Sequence, residues 1–363
     1  MNRPLAIGIA FAVLSVPVLF AAGAQEKTAA GIILPSKDEP RWIQDGTRLL
    51  EALKKNGISS EILFSQGDPA REKAAVTALI SAGAKVIIIC PSDSSAAAEA
   101  ADKAHAAGVK VISFDRLIRD SASVDYYVTF DSVAVGAAEG RYLVSKATAK
   151  GTSLYLYAGA ASDENTFQLF QGAWGVLQPK IQDGTFVIRN SSEAVALQGT
   201  ADLSRDEERR IIAQITTNWN FSDARSLAEA NLTAAPAGGK GSVCICAPND
   251  GTARAIADAF AADREVTGYT ITGQGAEIAS IQYIIDGRQS MTVLKDSRVL
   301  VEDAVGAAVA YLHGGVPPQT TSYYNGRIEV PSKPSILTIV AKDNVKAAIV
   351  DSGYWPAGNF AGL

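Results

Sequence analysis

Histidine, cysteine and aromatic residues are scarce in this chain. Its 363 residues include 2 histidines and 3 cysteines, and aromatics make up 7%. His105 and His313 each fall where a helical pattern runs into glycine. No His-based catalytic dyad and no metal cluster is therefore expected. Cys90, Cys244 and Cys246 lie in the apolar runs VIIIC and SVCICA. If SVCICA is a strand, Cys244 and Cys246 share a face with α-carbons roughly 6 to 7 Å apart, a poor separation for a disulfide. All three are expected as buried thiols. No long basic run occurs and the net charge is −5, which leaves no electrostatic footprint for nucleic acid. Beyond the first twenty residues no stretch of 18 apolar residues follows, so no membrane span is expected in the mature chain.

What is present begins with an export signal. Arg3 precedes an apolar stretch from Leu5 to Phe20, and Ala22-Gly23-Ala24 forms a small-x-small cleavage site before Gln25. Residues 1–24 are expected to be a secretory signal peptide. A membrane anchor is the competing reading, disfavoured by the lack of a basic stop-transfer flank.

The mature chain alternates between two periodicities. AGIILP, SSEILFSQ, KVIIIC and VKVISF read as strands. Between them, RWIQDGTRLLEALKKNG, DPAREKAAVTALISAG and SSAAAEAADKAHAAG read as helices. Asp68 and Pro69 open the second of these as N-cap and first helical residue, and Gly83 ends it. Such alternation, with continuous apolar strands, predicts a parallel sheet covered by helices on both faces. The pattern restarts at 151 with SLYLYAG, FVIRN, SVCICAP and TITGQG as strands. Two similar α/β units follow, with a seam near 130–150. The polar stretch around 191–217 is long for a connection and is expected to be a partly helical insertion.

Ligands of open α/β sheets sit at the carboxyl ends of strands. The residues that follow each strand are polar here. The first strand leads to Ser36, Lys37, Asp38, Arg41 and Trp42, and the third to Ser92 and Asp93. VKVISF runs directly into Asp115 and Arg116. The second unit offers Asp163, Glu164 and Asn165, then Asn249 and Asp250, then Gln274, while Trp219 lies on a loop before a helix. Carboxylates and amides that accept, arginines and lysines that donate, and an aromatic face suit a polyol. Each also has a plainer reading. Asp93 fits capping of the next helix better than a ligand role, Asp163 fits the two equally, Arg116 also suits a surface ion pair, and Trp174 fits the core better.

The segments FDRLIRDSASVDYYVTFDSVAVG, APNDGTARAIADAF, ITGQGAEIASIQYIIDGRQSMTVLKD and YNGRIEVPS resemble the xylose-binding and multiple-monosaccharide-binding periplasmic proteins of sugar ABC transporters. The resemblance covers nearly the whole mature chain. It implies the type I periplasmic-binding fold: two doubly wound parallel-sheet α/β lobes joined by a three-segment hinge and closing on a sugar. It implies crossovers near 131, 294 and 320. One lobe would then hold 25–131 with 295–319, the other 132–294 with 320–363. It also implies ligand-binding roles residue by residue. Arg41 would touch sugar and Trp42 stack on it. Asp115 and Arg116 would form the pair at the ring. Glu164 and Asn165 fall on two adjacent asparagines of the family, Trp219 on a second stacking aromatic, Asn249 on the asparagine of an Asn-Asp motif, and Lys295 on a hinge lysine. Two departures stand out. Gly275 replaces an acidic residue, and Glu164 replaces an asparagine and is expected to restore the missing carboxylate or to accompany a rotated or larger ligand.

The expected function is thus a non-enzymatic periplasmic receptor, a monomer without cofactor, that passes a monosaccharide such as xylose or glucose to a membrane permease. A sensor read by a chemoreceptor or sensor kinase has the same binding chemistry. A glycosidase with Asp115 and Glu164 as its two carboxylates is the remote third reading.

Overall fold

Strands buried on both faces need helices above and below, and the computed structural model shows that arrangement twice. It describes residues 28–363 except 38 and 148. The expected signal segment and Asp38 lie outside the described residues.

The first lobe opens with β1 (Ala30–Leu34), α1 (Pro40–Lys55), β2 (Ser60–Phe64), α2 (Pro69–Ala82), β3 (Val86–Ile89), α3 (Ala98–Ala106), β4 (Lys110–Phe114) and β5 (Tyr126–Val128). The chain then enters the second lobe through α4 (Ser132–Lys146), β6 (Thr152–Leu156), α5 (Glu164–Gln182) and β7 (Phe186–Ile188). Two helices, α6 (Ser192–Ala196) and α7 (Arg205–Ile215), fill the expected insertion, and α8 (Phe221–Ala234) follows. Next come β8 (Ser242–Cys246), α9 (Asp250–Ala262), β9 (Gly268–Ile271), α10 (Ile278–Ile285) and β10 (Met291–Lys295). The chain returns to the first lobe as α11 (Ser297–Leu312), β11 (Thr321–Tyr324) and β12 (Glu329–Ser332), and ends in the second with β13 (Leu337–Ala341).

The first sheet has the order β11-β12-β5-β4-β3-β1-β2, parallel except for the β11–β12 hairpin. Ile32, Ile88 and Ile112 face α1 and α11 on one side, while Ile33, Ile87 and Val111 face α2 and α3 on the other. The second sheet runs β7-β6-β8-β9, all parallel. A parallel bridge from Gln274 to Val293 extends it to β10, which pairs antiparallel with β13.

The third crossover differs from the expected one. A break near 320 would give 320–363 to the second lobe, but β11 and β12 belong to the first sheet, so the chain leaves it only after Ser332. The reason lies in the hairpin's packing. Val330 joins the first-lobe core, Ser332 pairs with Tyr127, and the Tyr323 ring meets the Tyr127 ring edge-on at 5.3 Å.

Two glycines let α4 and α5 approach backbone to backbone. A Cβ at Gly136 would run into the Leu169 carbonyl, and one at Gly172 into the Val133 carbonyl. The insertion is part of the core: Ala194 of α6 and Ile211, Ile212 and Ile215 of α7 pack with Leu154, Leu177 and Phe186. The three cysteines are buried and unbridged. Among the described residues, no helix is long and apolar enough to cross a membrane.

Candidate functional site

The carboxyl ends of the strands of both lobes meet at one place, and Asp115 is at its centre. It follows β4 with φ 62°, in the left-handed region that aspartate tolerates better than most residues. Its backbone is pinned there. The amide donates to Val128 O at 2.8 Å, and the carbonyl accepts from Tyr127 Oη at 3.0 Å and from Asn165 Nδ2 at 3.0 Å. The carboxylate is paired with the Arg41 guanidinium, and Asn165 Nδ2 lies 3.3 Å from its Oδ1. Burial acts to raise the Asp115 pKa, but Arg41, Lys295 and Arg116 outweigh it and hold the carboxyl at about 2.

Arg116 turns its Nε to Asp163 Oδ2 at 2.9 Å and its Nη1 to Pro91 O at 3.2 Å. Asp163 therefore does both things its sequence position allowed. It caps α5 through Asn165 N, and it pairs with Arg116 across the lobes. Asn165 accepts from Ser132 Oγ at 3.2 Å, which ties the site to the first crossover. Lys295, at the second crossover, is buried, with its ammonium 5.6 Å from the Phe130 ring centroid. Burial pulls its pKa down and the nearby Asp115 pushes it up, with burial the stronger. Among the described residues no carboxylate lies within 4.0 Å of its ammonium, so it enters the site as a donor without an ion-pair partner.

Trp42 is 1% exposed and packs in the first-lobe core. Its ring carries Arg41 at 4.6 Å and Arg116 at 5.3 Å, so guanidinium groups occupy the aromatic surface in this conformation. Trp219 sits on a loop in which Asn218 and Trp219 both have positive φ, 52° and 58°. Thr216 Oγ1 to Gly159 O at 2.7 Å and Asn218 Nδ2 to Asp223 Oδ2 at 2.9 Å fix that loop. The indole lies so close over Gly159 that a Cβ there would overlap the ring. Four tryptophans divide into two pairs. Trp174 and Trp355 donate to backbone carbonyls at 2.9 and 2.8 Å, whereas the buried indole nitrogens of Trp42 and Trp219 have no partner among the described residues.

Asn249 caps α9, accepting from Thr252 N at 3.2 Å. The cap uses its oxygen and leaves its NH2 group for another partner. Beside it, Asp250 is buried and held by Gln289 Nε2 at 2.8 Å and Glu277 N at 3.0 Å. Burial first, and Glu277 second, raise its carboxyl pKa to about 6. Gly275 has φ 127°, and a Cβ there would lie 3.7 Å from Asp250 Oδ2. A carboxylate at 275 would be strained and set against another, so Asp250 is the acid nearest that point.

Glu164 does not present a free carboxylate. Arg119 Nη1 reaches its Oε2 at 2.8 Å and Arg205 Nη1 its Oε1 at 3.2 Å. Neither arginine stood out in the sequence. Arg119 lies inside FDRLIRD, and Arg205 follows Ser204 in a capping box with Glu207 that marks a helix start. That box was the available signal. No group of three or more potential metal ligands occurs among the described residues.

Residues 30–315 match the family described as periplasmic binding protein domain. The chain belongs to that family. A multiple sugar-binding periplasmic protein of Azospirillum brasilense is 31% identical over 93% of this chain and 92% of its own. A multiple sugar-binding periplasmic receptor of Rhizobium radiobacter is 30% identical over 98% and 97%. Among solved structures, a carbohydrate transporter solute binding protein of Chloroflexus aurantiacus, in complex with D-glucose, is 64% identical. It superposes with a TM-score of 0.91 over 92% of this chain and 98% of that one. The type I periplasmic-binding fold expected from the sequence is the fold found.

Proposed function

We propose that this periplasmic binding protein captures a monosaccharide between its lobes and delivers it to a sugar ABC transporter. One observation carries the reading. Arg41, Asp115, Arg116, Asn165 and Lys295 converge from both lobes at the strand ends, with unpartnered indole donors on Trp42 and Trp219 nearby. Such an array of fixed donors and acceptors suits the hydroxyls of a sugar. The glucose-bound neighbour of high identity supports an aldose of that size. In this reading Asp115, Asn165 and the NH2 of Asn249 bind hydroxyls, and Lys295 and Arg41 donate to the ring side. Trp219 packs on the C–H face. Trp42 exchanges its arginine neighbours for sugar as the cleft rearranges. Glu164 is left to the protein.

The two carboxylates of a glycosidase reading, Asp115 and Glu164, do not suit the cleavage of a glycosidic bond. A general acid needs a carboxyl kept protonated near neutral pH. Asp115 is held ionised and Glu164 is doubly paired with arginines. The cleft rim fits a membrane permease. Ile43 and Val299 of the first lobe, and Phe221 and Ile278 of the second, are exposed in the first turns of α1, α11, α8 and α10, on the strand-end side. The periplasmic names of the relatives support export, with 1–24 as the leader.

The test is calorimetric titration of the chain from Gln25 with D-glucose, D-xylose, D-galactose, L-arabinose and D-ribose. Saturable 1:1 binding of at least one is expected. Heat of dilution alone for all five overturns the reading.

A further inference from the structure

Arg205 is the first residue of α7, in the insertion, and its guanidinium lies 3.2 Å from the Phe167 ring centroid. Both its terminal nitrogens reach Glu164, Nη1 to Oε1 at 3.2 Å and Nη2 to Oε2 at 2.5 Å. From the other lobe, Arg119 Nη1 reaches the same Oε2 at 2.8 Å. The Glu164 carboxylate is therefore a junction between the lobes. Its surroundings repeat the pattern. Glu164 N donates to Ser94 Oγ at 3.2 Å, and Ser94 N donates to Ser162 O at 3.0 Å. Asp163, Glu164 and Asn165 each bond to a residue between 115 and 119.

We propose that Arg119, Glu164 and Arg205 form an ionic clasp that holds the lobes together without sugar, and that Arg205 is a positioning residue for ligand affinity. Only the affinity half rests on the sugar-receptor reading. Arg205 acts through Glu164. Its two-pronged contact fixes the carboxylate in the orientation that Arg119 meets across the gap. Two cations on one anion leave an excess positive charge. Glu208 Oε2 lies 3.9 Å from Arg205 Nη1, and burial raises its carboxyl pKa to about 7, so it offsets that charge only in part at neutral pH. Arg119 and Arg205 are each about a quarter to a third exposed, so the clasp is accessible to salt screening. The same contact, kept in the closed sugar-bound protein, must break before sugar can leave, which slows release, where most differences in affinity lie.

The experiment is small-angle scattering of the sugar-free chain from Gln25, with stopped-flow release of D-glucose, on native protein and on Arg205→Gln, Arg205→Lys and Arg119→Gln. The native protein is expected to be compact at low salt and to expand in about 1 M salt. Both glutamine variants are expected to be expanded at low salt. They should release glucose about tenfold faster, as expected from losing a charged hydrogen bond, and associate no more slowly than native. Arg205→Lys keeps charge without the fork and is expected to fall between. Arg119→Gln breaks the clasp from the first lobe without touching α7, so damage to that helix cannot imitate the result. Native scattering for both glutamine variants overturns the clasp, and native release rates overturn the role in affinity. If no sugar binds the native protein, the sugar-receptor reading fails while the scattering comparison still decides the clasp.

Discussion

Replacing Asp115 by asparagine keeps the shape of the side chain and removes its charge. The carboxylate is buried, paired with Arg41, and close enough to Lys295 and Arg116 to be stabilised by both. Removing one member of a fully buried ion pair costs about 3–5 kcal/mol. Arg41 is 29% exposed and keeps Asp45 at 3.3 Å, which trims the loss to roughly 1.5–3 kcal/mol, the range of a charged hydrogen bond. If the same carboxylate binds a sugar hydroxyl, affinity should fall by about one to two decades. A pH signature separates this from simple loss of packing. The folded carboxyl titrates at about 2, below the unfolded value of about 3.9. A depressed carboxyl adds stability that is present above the unfolded pKa and is lost as pH falls through the folded one. Here the window runs from about pH 4 down to about pH 2 and carries about 2–3 kcal/mol. Urea unfolding of native protein and Asp115→Asn should therefore differ most above about pH 5 and converge toward about pH 2. Calorimetry with D-glucose at neutral pH gives the affinity. A constant stability difference across that range, with unchanged glucose affinity, refutes the reasoning.

Other substitutions probe the frame around the site. Gly136→Ala places a methyl group against the Leu169 carbonyl and is expected to destabilise by about 1–3 kcal/mol or more, read as a lower melting temperature. Gly275→Asp introduces the acidic residue that the sequence resemblance implies at this position. At φ 127° and beside Asp250 it is expected to lower both stability and glucose affinity, measured by thermal unfolding and calorimetry. Trp219→Phe keeps an aromatic face and removes an indole with an unpartnered nitrogen. It is expected to reduce any glucose-induced change in tryptophan fluorescence, with Trp42 supplying the remainder, while leaving the melting temperature within a few degrees.

Much of this architecture was legible because parallel strands buried on both faces leave an unmistakable apolar run, and because their ends are where polar residues have room. VKVISF followed by Asp115 and Arg116 shows both facts in eight residues. The hinge was less legible. TSYY and EVPS are too short to reveal which sheet they extend, and contacts such as Val330 in the first-lobe core and Tyr323 on Tyr127 decide it. Glu164 shows a different limit. A carboxylate at a helix start looks available for ligand. The arginines that occupy it come from positions 45 residues earlier and 41 later, and their long side chains are aimed by tertiary packing. Trp42 was expected to stack on sugar, but its two covering guanidinium groups follow from the placement of α1 against β4 and could not be read from either segment.

The central claim is that a monosaccharide binds where the two sets of strand ends meet. A crystal structure of the chain from Gln25 grown with D-glucose tests it directly. The account places the sugar within hydrogen-bond distance of Asp115, Asn165 and Lys295, with Trp219 against its C–H face. Sugar bound elsewhere, or an empty interlobe site at saturating glucose with binding measured in solution, would contradict it.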